Sequence, residues 1–134
     1  MSAWGKASRK EYDTLDPRLQ KLCDRINTEV CDMRLLCGHR PKEDQDLAFA
    51  TKRSKVQWPN SKHNKTPSVA VDWTPTPVNL KSRSLREELC YIAGAATVIA
   101  KQEGFTLRWG GDWDQDGDLE DNTFDDLFHV EIKE

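Results

Sequence analysis

Between Ser68 and Trp73 the chain alternates Val69, Val71 and Trp73 with Ser68, Ala70 and Asp72, the period of a strand with one buried face. Thr74-Pro75-Thr76-Pro77 follows at once. Proline has no amide hydrogen to give a ladder, so the strand is expected to stop there. Such a strand needs neighbours to pair with and helices to cover its apolar face. It also carries one group out of place, the carboxylate of Asp72 at the end of an apolar run. A buried carboxylate needs a partner, and a metal ion is one. The plainer reading is that a strand-end aspartate serves a turn.

The remaining elements are laid out around that strand. Asp16-Pro17 reads as a helix start, with Leu19, Leu22, Cys23, Ile26 and Val30 following at helical spacing. Met33 to Cys37 reads as a short buried strand that Gly38 ends. Pro41 opens a second helix to about Thr51, with Glu43, Asp44 and Asp46 near its start, where the helix dipole favours acids. Ser84-Leu85-Arg86-Glu87 fits a capping box, and the helix it opens runs to about Glu103, with Gly104 as the C-cap. Phe105 to Trp109 and Phe128 to Ile132 alternate as strands. The order α-β-α-loop-β-α-β-loop-β does not alternate strictly. It predicts an α+β fold, an antiparallel sheet flanked by helices. One domain over residues 1–134 is expected, with 1–13 as a polar lead-in.

Charge narrows the function. Residues 1–67 sum to +5 and residues 68–134 to −8. That polarity argues against a nucleic-acid partner, which calls for a basic domain, and suits a cation-attracting end. No apolar run approaches the ~20 residues that span a bilayer, so no membrane insertion is expected. Met1 to Lys10 lacks the apolar centre of a signal peptide, which predicts synthesis and folding in the cytoplasm. Lys52 to Lys65 holds five basic residues and no acid. It is read as a solvated surface loop, or else as a lip that attracts an anionic polymer. Cys23, Cys31, Cys37 and Cys90 form no C-x-x-C pair, so a zinc-thiolate site is not expected. They read as small core residues, with a disulfide after export left open.

Only three histidines occur. His129 falls in a predicted strand and His63 just before one. A catalytic zinc takes three protein ligands and keeps a position open, so His63, Asp72 and His129 are the candidate set. Taken singly, a strand histidine is more often just hydrogen-bonded. Asp126 lies three residues before His129, and in a regular strand the two would point apart. A bend or bulge before Phe128 would bring both to one cleft, with Asp126 as the general base. The alternative is that Asp125 and Asp126 are loop acids. Upstream, Asp112, Asp114, Asp116 and Asp118, with Gly117, copy the start of a calcium loop, though Thr123 stands where its closing glutamate belongs. A calcium site or a solvated acidic loop both fit.

These residues resemble a known family, the zinc peptidases that cut bacterial cell-wall peptides. It includes D-alanyl-D-alanine carboxypeptidases and dipeptidases, and the bacteriophage L-alanyl-D-glutamate endolysins. The motif S-x-H-x-x-G-x-A-x-D is matched by Ser61-Lys62-His63 and Ala70-Val71-Asp72, with two extra residues between the halves. A carboxylate two residues before a histidine is matched by Asp126-Leu127-Phe128-His129, and G-x-R by Gly38-His39-Arg40, with Gln45 shortly after. Gly110-Gly111-Asp112-Trp113 and the aspartate at 126, where the dipeptidases have glutamate, are similar to the endolysin branch. The resemblance implies a hedgehog/D-alanyl-D-alanine-peptidase-like fold with a zinc site on the sheet. It makes His63, Asp72 and His129 the zinc ligands and Asp126 the catalytic base. Arg40 would hold a substrate carboxylate or the developing oxyanion, with Gln45 and Ser61 beside the substrate. It further implies bacterial peptidoglycan as partner, calcium as a regulator, a monomer, and action on the cell wall after release from the host cytoplasm. A D-alanyl-D-alanine peptidase with the same site, or a non-catalytic metal-bound domain of this fold, are the competing expectations.

Overall fold

The structure is a computed structural model and describes residues 4–111 and 126–134. Within them the elements run α1 (Lys6–Tyr12), α2 (Pro17–Glu29), β1 (Met33–Cys37), α3 (Lys42–Ala50), a 3-10 turn (Lys62–Asn64), β2 (Ala70–Pro75), α4 (Leu85–Gln102), β3 (Leu107–Gly110) and β4 (Asp126–Ile132). The strands make one antiparallel sheet in the order β1-β2-β4-β3, so the fold is α+β, as the sequence predicts. Asp112, Asp114, Asp116 and Asp118, the expected calcium ligands, lie outside the described residues. No helix among the described residues is long and apolar enough to cross a membrane.

The two central strands, β2 and β4, have different work on their two faces. Val71 pairs with Val130, and with Trp73 and Ile132 they form one apolar face, each at most 1% exposed. Leu19, Leu22 and Ile26 of α2 and Leu89, Ile92 and Ala96 of α4 close over it. Each of these valine, leucine and isoleucine side chains contributes roughly 1.5–3 kcal/mol by leaving water. On the other face Asp72 pairs with His129. That face is also covered: Ala70 is fully buried, and His129 and Glu131 are 7% and 6% exposed. The one-sided alternation expected of β2 therefore describes only its packing against the helices.

Three local expectations change. First, β2 does not stop at Thr74 but continues through Pro75. β4 pairs only with Ala70–Asp72, so the missing Pro75 amide breaks no bond on that side. Second, Ser84 precedes α4 without capping it. Its φ of −97° and ψ of 3° are not the extended conformation a cap needs, and its hydroxyl donates to Glu88 at 2.9 Å instead. Third, part of the polar lead-in is helix α1, which lies along the edge strand β1. Ser8 Oγ accepts from the Leu35 amide at 3.1 Å, Glu11 Oε1 from Gly38 at 3.1 Å and Thr14 Oγ1 from His39 at 2.9 Å. These side chains satisfy backbone donors that an edge strand would otherwise leave open. Behind them Trp4 Nε1 and Tyr12 OH both donate to Asp24, at 2.9 and 2.7 Å. None of the four cysteines is in a disulfide, and only Cys23 is a core residue; Cys31, Cys37 and Cys90 are half-buried.

Candidate metal centre

His63 reaches the sheet from the 3-10 turn, and a capping box fixes that turn. Ser61 Oγ accepts from the His63 amide at 3.2 Å, and Asn64 Oδ1 accepts from the Ser61 amide at 3.0 Å. The His63 carbonyl in turn accepts from the Arg40 amide at 2.7 Å. So held, His63 Nε2 lies 3.2 Å from Asp72 Oδ1 and 3.1 Å from His129 Nδ1, and His129 Nδ1 lies 3.1 Å from Asp72 Oδ1. The three sequence candidates thus meet at the corners of a nearly equilateral triangle.

The other ring nitrogens decide what the triangle can do. His63 Nδ1 donates to the Gly38 carbonyl at 2.7 Å, and His129 Nε2 donates to Glu131 Oε1 at 2.9 Å. Each imidazole has spent its N–H outward, so each turns a lone pair toward the other and toward a carboxylate oxygen. Three acceptors facing one another, two buried imidazoles and a half-buried carboxylate, need a cation or a proton between them. Two imidazoles and a carboxylate are a zinc donor set, and donors at ~2.0–2.1 Å from a tetrahedral ion lie roughly 3.3–3.4 Å apart. The observed edges come within about 0.3 Å of that, and the outward partners are the kind that orient metal-binding histidines. The residues present therefore fit a divalent ion.

Charge has shaped the same groups. Burial lowers His63, but the Asp72 charge and hydrogen bond outweigh it and raise the ion-free imidazole to about 10. His129 is raised too: burial opposes, while hydrogen bonds to Asp72 and Glu131 prevail. Burial pushes Asp72 up, yet the two histidines hold it well below the usual carboxylate range. Asp126 goes the other way, raised by burial and then by the Asp72 charge.

Asp126 reaches the site through an interruption in pairing. Trp109 pairs with Val130, but Gly110 pairs with Asp126, so β4 bulges over Leu127–His129. This is the bend needed for two residues three apart to share one cleft. One ligand atom each from Asp72, Asp126 and His129 lie within 4.8 Å of one another. Asp126, His129, Glu131 and His63 line a cleft of about 310 Å³, and Arg40, Arg53, Lys55, Lys62 and Arg108 give it a basic wall. The basic loop is thus beside the site.

Arg40 and Ser61 also line this cleft, whereas Gln45 does not. Gln45 is fully buried, and its amide is used up. Its Oε1 accepts from Arg40 Nη1 at 3.0 Å and Asn64 Nδ2 at 3.1 Å, while Nε2 donates to Ser54 Oγ at 2.9 Å and the Val56 carbonyl at 2.8 Å. The expectation that Gln45 touches substrate is therefore corrected: it positions Arg40, whose Nη2 lies 3.8 Å from Asp72 Oδ2. Sequence reasoning passed over Glu131, although strand period places it on the face of His129 and a buried acid there needs a partner. The Gly38 carbonyl left no signal, because a carbonyl carries no residue identity.

A family model described as phage L-alanyl-D-glutamate peptidase matches residues 1–133. No curated protein matches the chain. Among solved structures, the Serratia marcescens L-Ala D-Glu endopeptidase ChiX superposes with a TM-score of 0.68 at 17% identity, over 96% of this chain and 87% of that one. At that identity the likeness is one of fold.

Proposed function

The chain belongs to the phage L-alanyl-D-glutamate peptidase family, and on that premise we propose that it is a zinc-dependent endolysin hydrolysing the L-alanyl–D-glutamate bond of peptidoglycan stem peptides. The observation that carries this is the triangle of two imidazole lone pairs and a carboxylate oxygen, with edges of 3.1–3.2 Å. His63, Asp72 and His129 would hold the ion, which when bound supplies Lewis acidity toward the scissile carbonyl and the attacking water.

The chain's own groups do the rest. Asp126 takes a proton from the attacking water and returns it to the leaving amine of the D-glutamyl residue. Its carboxylate lies within 4.8 Å of ligand atoms of Asp72 and His129, the position both transfers require. Gln45 pins one arm of the Arg40 guanidinium, and Arg40 holds a substrate carboxylate or the developing oxyanion. Ser61 lies beside the substrate. The stem peptide carries free carboxylates, for which the basic wall of Arg53, Lys55 and Lys62 is complementary. Calcium bound by Asp112, Asp114, Asp116 and Asp118 would regulate the enzyme, and calorimetric titration with calcium chloride tests that role.

Purified muropeptides incubated with the protein and analysed by mass spectrometry test the main reading. Release of intact peptide cut between its first two residues is the expected product. Loss of only the terminal D-alanine would assign the carboxypeptidase activity instead. Full metal content with no product would assign a non-catalytic domain.

A further inference from the structure

Cys37 stands beside the triangle because of a second bulge. β1 pairs Leu35 with Trp73 and then Cys37 with Asp72, so Leu36 is the extra residue. Without the bulge Cys37 would fall opposite Val71, on the core face; with it, the thiol joins the face of Asp72. One ligand atom each from Cys37, His63 and Asp72 lie within 4.8 Å of one another. This donor set overlaps the triangle and adds a soft ligand. Cys37 and Asp72 also line a separate cleft of about 700 Å³, with His39 and Arg40, so the thiol is approached from a different side than Asp126. The sulfur makes a long contact with the Gly38 carbonyl, 3.7 Å, and also interacts with the His63 imidazole, a ligand of the triangle.

We propose that Cys37 is an alternative fourth ligand, whose thiolate closes the site of His63, Asp72 and His129 into a resting form. This rests on the reading that those three residues hold a divalent ion. In the closing step the Cys37 S–H bond breaks and its proton goes to solvent. The sulfur electron pair forms the bond to the ion, and one solvent molecule leaves the fourth position; nothing is oxidised or reduced. A four-coordinate site with no open position is the structural type of zinc site, while catalysis needs a position open. Thiolate is also the ligand that best retains soft ions. The site therefore exchanges a closed, metal-retaining form for an open one, and reagents that alkylate Cys37 hold it open.

Cobalt(II) added to the metal-stripped protein reports both points in one absorption spectrum. Visible d–d bands report binding at the site, and a sulfur-to-cobalt charge-transfer band in the near ultraviolet reports the thiolate. Both are expected for the wild type, with Cys37→Ser keeping the d–d bands and losing the charge-transfer band. If d–d bands appear without charge transfer, or if charge transfer survives Cys37→Ser, the Cys37 ligand is overturned while the three-residue site stands. If no d–d bands appear, the metal reading itself fails and this inference with it. Alkylation of Cys37 by iodoacetamide, followed by peptide mass spectrometry, should be slowed about tenfold or more by bound cobalt, since a coordinated thiolate is a poor nucleophile. An unchanged rate counts against the ligand.

Discussion

Gly38→Ala is a one-carbon change that should weaken both the fold and the metal site. A Cβ at Gly38 would lie 2.7 Å from the Glu11 carbonyl oxygen, 3.0 Å from Leu15 Cδ2 and against Thr14 Oγ1. The Glu11 carbonyl is backbone at the end of α1 and cannot rotate away, so the strand end must retreat. Overpacking of this kind costs about 1–3 kcal/mol. Retreat also stretches the bonds from Gly38 and His39 to Glu11 and Thr14, now 3.1 and 2.9 Å. A Tm lowered by roughly 4–12 °C follows for a chain of this size. The Gly38 carbonyl orients His63, so affinity for the ion should fall by about 10–100-fold. Differential scanning calorimetry of the metal-free protein and competition titration with a chromogenic chelator measure the two effects. Gly94→Ala is the control: nothing lies within 4 Å of its Cβ, and alanine there should stabilise α4 by roughly 0.5–1 kcal/mol. A Gly38→Ala protein with wild-type Tm and wild-type metal affinity would refute the reasoning.

Other perturbations separate the parts of the site. Glu131→Gln removes the charge that receives the His129 N–H at 2.9 Å; metal affinity should drop by about 10–100-fold with the far-ultraviolet circular dichroism unchanged, and undiminished affinity would deny Glu131 its orienting role. Asp126→Asn should keep the metal yet lose about 10²–10⁴-fold in turnover of muropeptides; near-normal hydrolysis would remove Asp126 as the base. Away from the site, burial and the hydrogen bond to Asp24 raise Tyr12 to about 12. The folded state then holds this proton more tightly than the unfolded one, so its contribution is fully present below pH ~10 and lost as pH rises toward 12. Tyr12→Phe should flatten that alkaline loss in urea titrations, and an unchanged slope would show that Tyr12 does not cause it.

Much of this was legible because it rests on local rules. Asp16-Pro17 opened α2 where capping chemistry said, and Asp16 does accept the Arg18 amide at 2.9 Å. The alternation around Val71 and Trp73 located the central strand and the misplaced carboxylate of Asp72. The three-residue spacing of Asp126 and His129 required a bulge, and one is present. What escaped the sequence depends on groups that meet only in the fold. α1 looked like a polar tail because its work is done by Ser8 and Glu11 on another strand's amides. Gln45 was placed at the substrate because distance along the chain cannot tell a side chain in the cleft from one beneath it. The bulge at Leu36 turns Cys37 from the core to the site, and no residue type there announces it.

Metal content bears most directly on whether His63, Asp72 and His129 act together. The wild type, His63→Ala and His129→Ala should be purified without added metal and analysed by inductively coupled plasma mass spectrometry, with circular dichroism confirming that each is folded. About one equivalent of zinc per chain is expected in the wild type, with folded variants retaining less than about a tenth of it. Folded variants that keep the full equivalent, or a metal-free wild type that still cleaves muropeptides, would contradict a metal site built from these three residues.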